Sequence, residues 1–89
     1  MIEKKLTVTN KLGLHARPSA KVVQTASKYK SEIYLTKGTM TINAKSMLGV
    51  MALAAEYGSE LILKVSGEDE KAAAKELIRL FKHKFKDAY

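Results

Sequence analysis

Cysteine and tryptophan are absent from this chain, and its one proline is Pro18. Without cysteine there can be no disulfide, no thiol nucleophile and no thiolate metal site. Histidine is scarce as well. His15 and His83 are far apart in sequence and no carboxylates stand at ligand spacing around either, so no metal is expected. No apolar run is long enough to cross a bilayer. The opening residues 1–9 alternate like a strand and lack the apolar core of an export signal, which places the protein in the cytoplasm with no membrane insertion. There is no Walker-type glycine loop and no carboxylate cluster for Mg²⁺. That excludes a nucleotide-using kinase, and no cofactor is expected.

Acidic side chains are the remaining shortage. The 89 residues carry 16 Lys and Arg against 9 Asp and Glu, a formal charge of +7. Residues 1–30 hold +6, residues 31–69 hold −2 and residues 70–89 hold +3. Such a chain favours acidic partners and fast encounter with them. Lys71, Lys75, Arg79, Lys82 and Lys86 recur at helical spacing as one basic stripe. The stripe reads as a solvated face opposite Leu77 and Phe81, with His83 at a solvated helix end. A small basic nucleic-acid-binding protein is the alternative, although no aromatic interleaving or base-reading motif accompanies the stripe.

No linker, repeat or low-complexity tract divides residues 1–89, which read as one domain. A first strand spans residues 2–9 and a turn covers 10–13. The apolar spacing of Ala16, Ala20, Val23 and Ala26 predicts an amphipathic helix over 16–29. Strands follow over 32–36 and 39–43, joined by a turn at Lys37-Gly38, with Met40 and Ile42 on one face. Ser46 is a good N-cap for a short apolar helix within 47–55, weakened by Gly49. Residues 60–66 form the last strand. The last helix covers about 70–86, with Ala74, Leu77, Ile78, Phe81 and Phe85 on its apolar side. The order is βαββαβα. One antiparallel sheet with the helices on one face buries all these stripes in two layers, an α+β fold.

The chemistry concentrates in Gly13-Leu14-His15-Ala16-Arg17-Pro18. Pro18 has no N–H and a helix-like φ, so it suits a first helical turn. His15 then sits at the N-cap, where unpaired N–H groups and the positive end of the dipole favour an anion. A lone histidine before a helix is most often only a cap or core residue. With Arg17 beside it, a neutral imidazole at an anion site can hold a phosphoryl group.

This motif resembles that of HPr, the histidine-containing phosphocarrier family of the phosphoenolpyruvate-dependent sugar phosphotransferase system. The resemblance extends through Val23-Gln24-Thr25-Ala26-Ser27-Lys28-Tyr29, Asn43-Ala44-Lys45-Ser46-Met47-Leu48-Gly49-Val50-Met51 and Gly67-Glu68-Asp69-Glu70, nearly the whole chain. It implies an open-faced β-sandwich, a four-stranded antiparallel sheet with three helices on one side. It implies that His15 accepts a phosphoryl group on Nδ1 from enzyme I and passes it to IIA units of sugar permeases, as a relay rather than a stand-alone catalyst. Ser46 matches the family's regulatory serine. Its flanks resemble the Gram-positive type, in which a kinase/phosphorylase modifies that serine and the phosphorylated protein binds a catabolite-control repressor. A mainly regulatory module acting through phosphoserine is the corresponding alternative. Ser19 departs from the pattern, which usually has a small apolar residue there, and the turn at Lys37-Gly38 is shorter than the common one.

Phosphoryl transfer needs chiefly positioning and charge neutralisation. Arg17 can make charge-assisted bonds to phosphoryl oxygens, supported by the backbone of Ala16, Arg17 and Pro18: two N–H donors, and the turn that presents them. Met47, Leu48 and Met51 are expected to form an exposed apolar patch beside His15, rimmed by Lys11, Arg17, Lys21 and Lys45. An apolar centre with a cationic rim suits docking on acidic partners.

Overall fold

The computed structural model describes residues 1–86, so the expected domain over 1–89 reaches three residues beyond them. Four strands and three helices follow the expected order: β1 (Ile2–Thr7), α1 (Ala16–Ser27), β2 (Glu32–Lys37), β3 (Met40–Asn43), α2 (Met47–Ala52), β4 (Glu60–Ser66) and α3 (Glu70–Lys82). The strands form one antiparallel sheet in the order β1-β4-β2-β3. All three helices cover one face of it.

Alternation along the strands builds the core. Leu61, Leu63 and Val65 of β4 are buried, and Ile33 and Leu35 of β2 lie beside them. Val22 and Ala26 of α1, Val50 of α2, and Ala74, Leu77 and Phe81 of α3 close over this layer. Burying each large aliphatic or aromatic side chain contributes about 1.5–3 kcal/mol.

Several boundaries differ from those read from the sequence. The β2–β3 loop is Gly38-Thr39, because Lys37 pairs with Met40. Gly38 takes φ +60 at the first loop position, the geometry of a two-residue hairpin that keeps the strand twist. α3 stops at Lys82 rather than 86. Lys84 and Phe85 turn to φ +56, the Phe85 N–H bonds to the Leu80 carbonyl, and the Phe85 ring meets Phe81 edge-on at 4.8 Å. Burying that ring outweighs another helical turn. α1 is also rotated from the expected face. Its buried residues are Pro18, Ser19, Val22, Thr25 and Ala26, whereas Ala16 is exposed and Ala20 and Val23 are half-buried. Small polar residues carry part of its packing, which an apolar count does not register.

Candidate functional site

The loop before α1 is held from several sides. The Gly13 N–H donates to the Asn10 carbonyl (3.0 Å), and the Asn10 side-chain amide donates to the Gly13 carbonyl. The Leu14 N–H donates to the Ala55 carbonyl just after α2 (2.8 Å). Gly13 has φ +68, and a Cβ placed on it would lie 2.5 Å from the Ala55 oxygen and 2.9 Å from Glu56 Cα. Only glycine lets the two backbones meet here. The buried Ser19 hydroxyl donates to the Leu14 carbonyl at 2.9 Å. This explains the polar residue at a position where the family pattern suggests an apolar one. Asn10 and Ser19 are positioning residues: Asn10 reads in the sequence only as part of a turn, and Ser19 only as a departure from the family pattern. An Asx-type loop residue five positions before a helix-mouth histidine was the available signal for Asn10.

His15 is the N-cap of α1, in extended backbone (φ −75, ψ −170), and it is half-buried. Its side chain makes no capping bond. The Ser19 N–H is taken by the His15 carbonyl at 3.0 Å, and Pro18 has no N–H. The remaining donors at this helix mouth are therefore the N–H groups of Ala16 and Arg17, with no acid in the first turn to neutralise them. Arg17 is exposed, so its guanidinium can swing to an incoming anion. Pro18 is buried and anchors the turn.

Ser46 is the N-cap of α2, its hydroxyl accepting from the Gly49 N–H at 3.0 Å. A Cβ on Gly49 would press on Ile42 Cβ at 3.2 Å and on the Ser46 oxygen at 3.3 Å. Glycine is thus the close-packing residue of this helix. Met47, Leu48 and Met51 are exposed, Leu48 at 84%, while Val50 between them is buried. Leu12, at 73%, adds a further exposed apolar side chain from the loop before His15. α1 and α2 pack together. Lys11 is exposed and Lys21 half-buried. Lys45 has a different place from that expected. Its ammonium donates to the Tyr29 carbonyl at 2.8 Å, beyond the C-terminal end of α1, whereas His15 opens that helix. A cation there is favoured by the helix dipole.

No group of three or more His, Asp or Glu among the described residues could hold a metal ion, and no helix among them is long and apolar enough to cross a membrane.

Residues 2–83 match the family model described as the PTS HPr component phosphorylation site. The chain is 51% identical over 87 residues to the phosphocarrier protein HPr of Treponema pallidum, covering 98% of this chain and 99% of that one. It is 43% identical to the HPr-like protein Crh of Bacillus subtilis, over 86% of this chain and 91% of that protein. Among solved structures, HPr-C-His from Thermoanaerobacter tengcongensis superposes with a TM-score of 0.93 at 45% identity, covering 96% of each chain. With the full fold, the family model and these identities in agreement, the chain belongs to the HPr family of phosphocarrier proteins of the sugar phosphotransferase system.

Proposed function

We propose that His15 is the phosphoryl acceptor, that enzyme I is the donor, and that IIA units of sugar permeases are the acceptors. The observation that carries this reading is the mouth of α1. There His15 stands beside the Ala16 and Arg17 N–H donors, in a loop braced by Asn10, Gly13, Ser19 and Ala55. In each transfer the lone pair of His15 Nδ1 attacks phosphorus, the new N–P bond forms as the donor's N–P bond breaks, and the donor histidine keeps the departing electron pair. In the onward transfer a nucleophile of the IIA unit attacks the same phosphorus and the His15 N–P bond breaks, its electron pair staying on Nδ1. Arg17 and the two backbone donors neutralise the equatorial oxygens as charge spreads over them. The exposed Leu12, Met47, Leu48 and Met51, with Lys11 and Lys21, supply the docking face for acidic partners. Ser46 is the regulatory site. A phosphoryl group there adds about −1.5 to −2 charges on a cationic docking face, which opposes the same acidic partners and offers a new anion to a repressor. A serine kinase/phosphorylase acts on it.

The test is incubation with enzyme I and labelled phosphoenolpyruvate. Wild type takes up acid-labile label. His15→Ala takes up none while keeping its circular dichroism spectrum. Full labelling of a folded His15→Ala protein refutes the assignment.

A further inference from the structure

The basic stripe of α3 has no part in the reading above, and it borders a second built surface. β1 is an edge strand. On its helix-facing side Ile2, Lys4 and Leu6 stand opposite Val65, Leu63 and Leu61 of β4, all three of them buried. Lys4 alone breaks this apolar row and is exposed. Two adjoining grooves run between the strand and the helix and share Ile78 and Lys82. One, of about 530 Å³, has Ile2, Ala74 and Ile78 between Lys71, Lys75 and Lys82. The other, of about 340 Å³, continues along Lys4, Leu6 and Phe81 to Lys84. Lys4, Lys71, Lys75, Lys82 and Lys84 are exposed, and none of them forms an ion pair with another described residue. Of the acids of α3, Glu70 accepts from the Gly67 N–H and pairs with the Met1 ammonium at the head of β1 (3.2 Å), and Glu76 accepts from Tyr29 and Lys28.

We propose that this channel binds an extended acidic segment of a partner protein as an added strand on β1, with alternate apolar side chains in the grooves and carboxylates on the lysine rim. An unpaired strand edge supplies main-chain hydrogen bonds, and pockets at strand spacing supply selectivity. Charge decides the class of occupant. A second copy of the chain would bring +7 against +7. Nucleic acid would find no exposed Phe, Tyr or Trp ring among the lining residues, since Phe81 is buried, and His83 is the one exposed ring there on which a base could stack. The bland account is that the lysines only guard the edge against aggregation. The two accounts differ in whether binding saturates.

The experiment is an amide NMR titration of the full chain with an end-blocked peptide of about eight residues alternating aspartate and leucine, a length that spans β1. Expected are saturable shifts confined to residues 2–7 and 70–84, unchanged in His15→Ala, which separates this site from phosphotransfer. Combined Lys4→Glu and Lys82→Glu should weaken binding roughly tenfold or more, as should raising salt from about 0.05 M to about 0.5 M, while Lys30→Glu leaves it intact. Both substituted lysines are exposed, and circular dichroism checks the fold. Non-saturable binding, or shifts centred on residues 11–17 and 46–51, overturns the proposal. So does a match of these shifts by oligouridylate or phosphatidylglycerol vesicles when the peptide gives none, or by raising protein concentration alone.

Discussion

Gly13→Ala tests whether the contact between the His15 loop and the end of α2 is as tight as its geometry states. Gly38→Ala is the matched control. Both glycines have positive φ, +68 and +60, so each substitution carries a conformational cost of roughly 1–2 kcal/mol, offset by about 0.4–1 kcal/mol from a stiffer unfolded chain. Their surroundings differ. A Cβ on Gly38 meets nothing within 4 Å, whereas on Gly13 it falls 2.5 Å from the Ala55 oxygen and 2.9 Å from Glu56 Cα. Those atoms are backbone and cannot rotate aside. Relieving the clash moves the loop, which strains packing by about 1–3 kcal/mol and weakens the 2.8 Å Leu14–Ala55 bond, worth about 1 kcal/mol. Gly13→Ala should therefore lose about 2–4 kcal/mol more than Gly38→Ala, a gap of roughly 1–3 M in urea midpoint for a domain of this size. The same displacement misplaces His15, so labelling by enzyme I should slow in Gly13→Ala and stay near wild type in Gly38→Ala. Equal midpoints for the two variants would refute the argument, because they would leave the left-handed backbone as the only cost.

Arg17→Ala should transfer phosphate roughly 10- to 150-fold more slowly with little change in thermal midpoint, since it removes one charge-assisted contact of about 1.5–3 kcal/mol from an exposed side chain. A rate loss that tracks unfolding would count against it. Ser46→Ala should lower stability by about 1 kcal/mol through loss of the cap to Gly49, yet leave transfer nearly intact. Ser46→Asp should raise the apparent Michaelis constant for phosphorylation of His15 at low salt, and high salt should shrink the difference; equal efficiency at low salt would remove the electrostatic switch. The Ser31 hydroxyl, foremost, and the Lys30 N–H hold the Asp69 carboxyl below its ordinary range. A depressed carboxylate stabilises the fold above its unfolded pKa, and that contribution is lost as pH falls through the folded value. Asp69→Asn should accordingly be less stable than wild type at neutral pH, and the difference should close below about pH 4. A gap in thermal midpoint that persists in acid would show the loss to be steric.

Much of this protein is legible locally because its determinants are local. Alternation marks β4, with the bounds read from the sequence unchanged in the structure. A serine before an apolar run marks the start of α2, and a proline in a first turn marks the start of α1. The helix-mouth histidine follows from those same signals, since an N-cap position is defined within one turn of chain. Where a helix stops is less local. α3 ends early because Phe85 finds burial against Phe81 by leaving the helix, and that choice depends on the surface already assembled around it.

What depends on residues distant in sequence became readable only in three dimensions. The buried face of α1 is decided by the elements it meets, and Ser19 and Thr25 are part of that face. The loop that presents His15 is braced by Ala55, Lys45 is drawn to the carbonyl of Tyr29, and Ser31 is bonded to Asp69. None of these pairings has a period or a motif. The basic stripe of α3 was visible in the sequence as charge alone. That it faces the edge strand across an apolar channel, with Lys4 on the far rim, is a property of the sheet order, which places β1 at the edge. Periodicity reports which side chains share a face, whereas the partner across that face is set by the packing of elements distant in the chain.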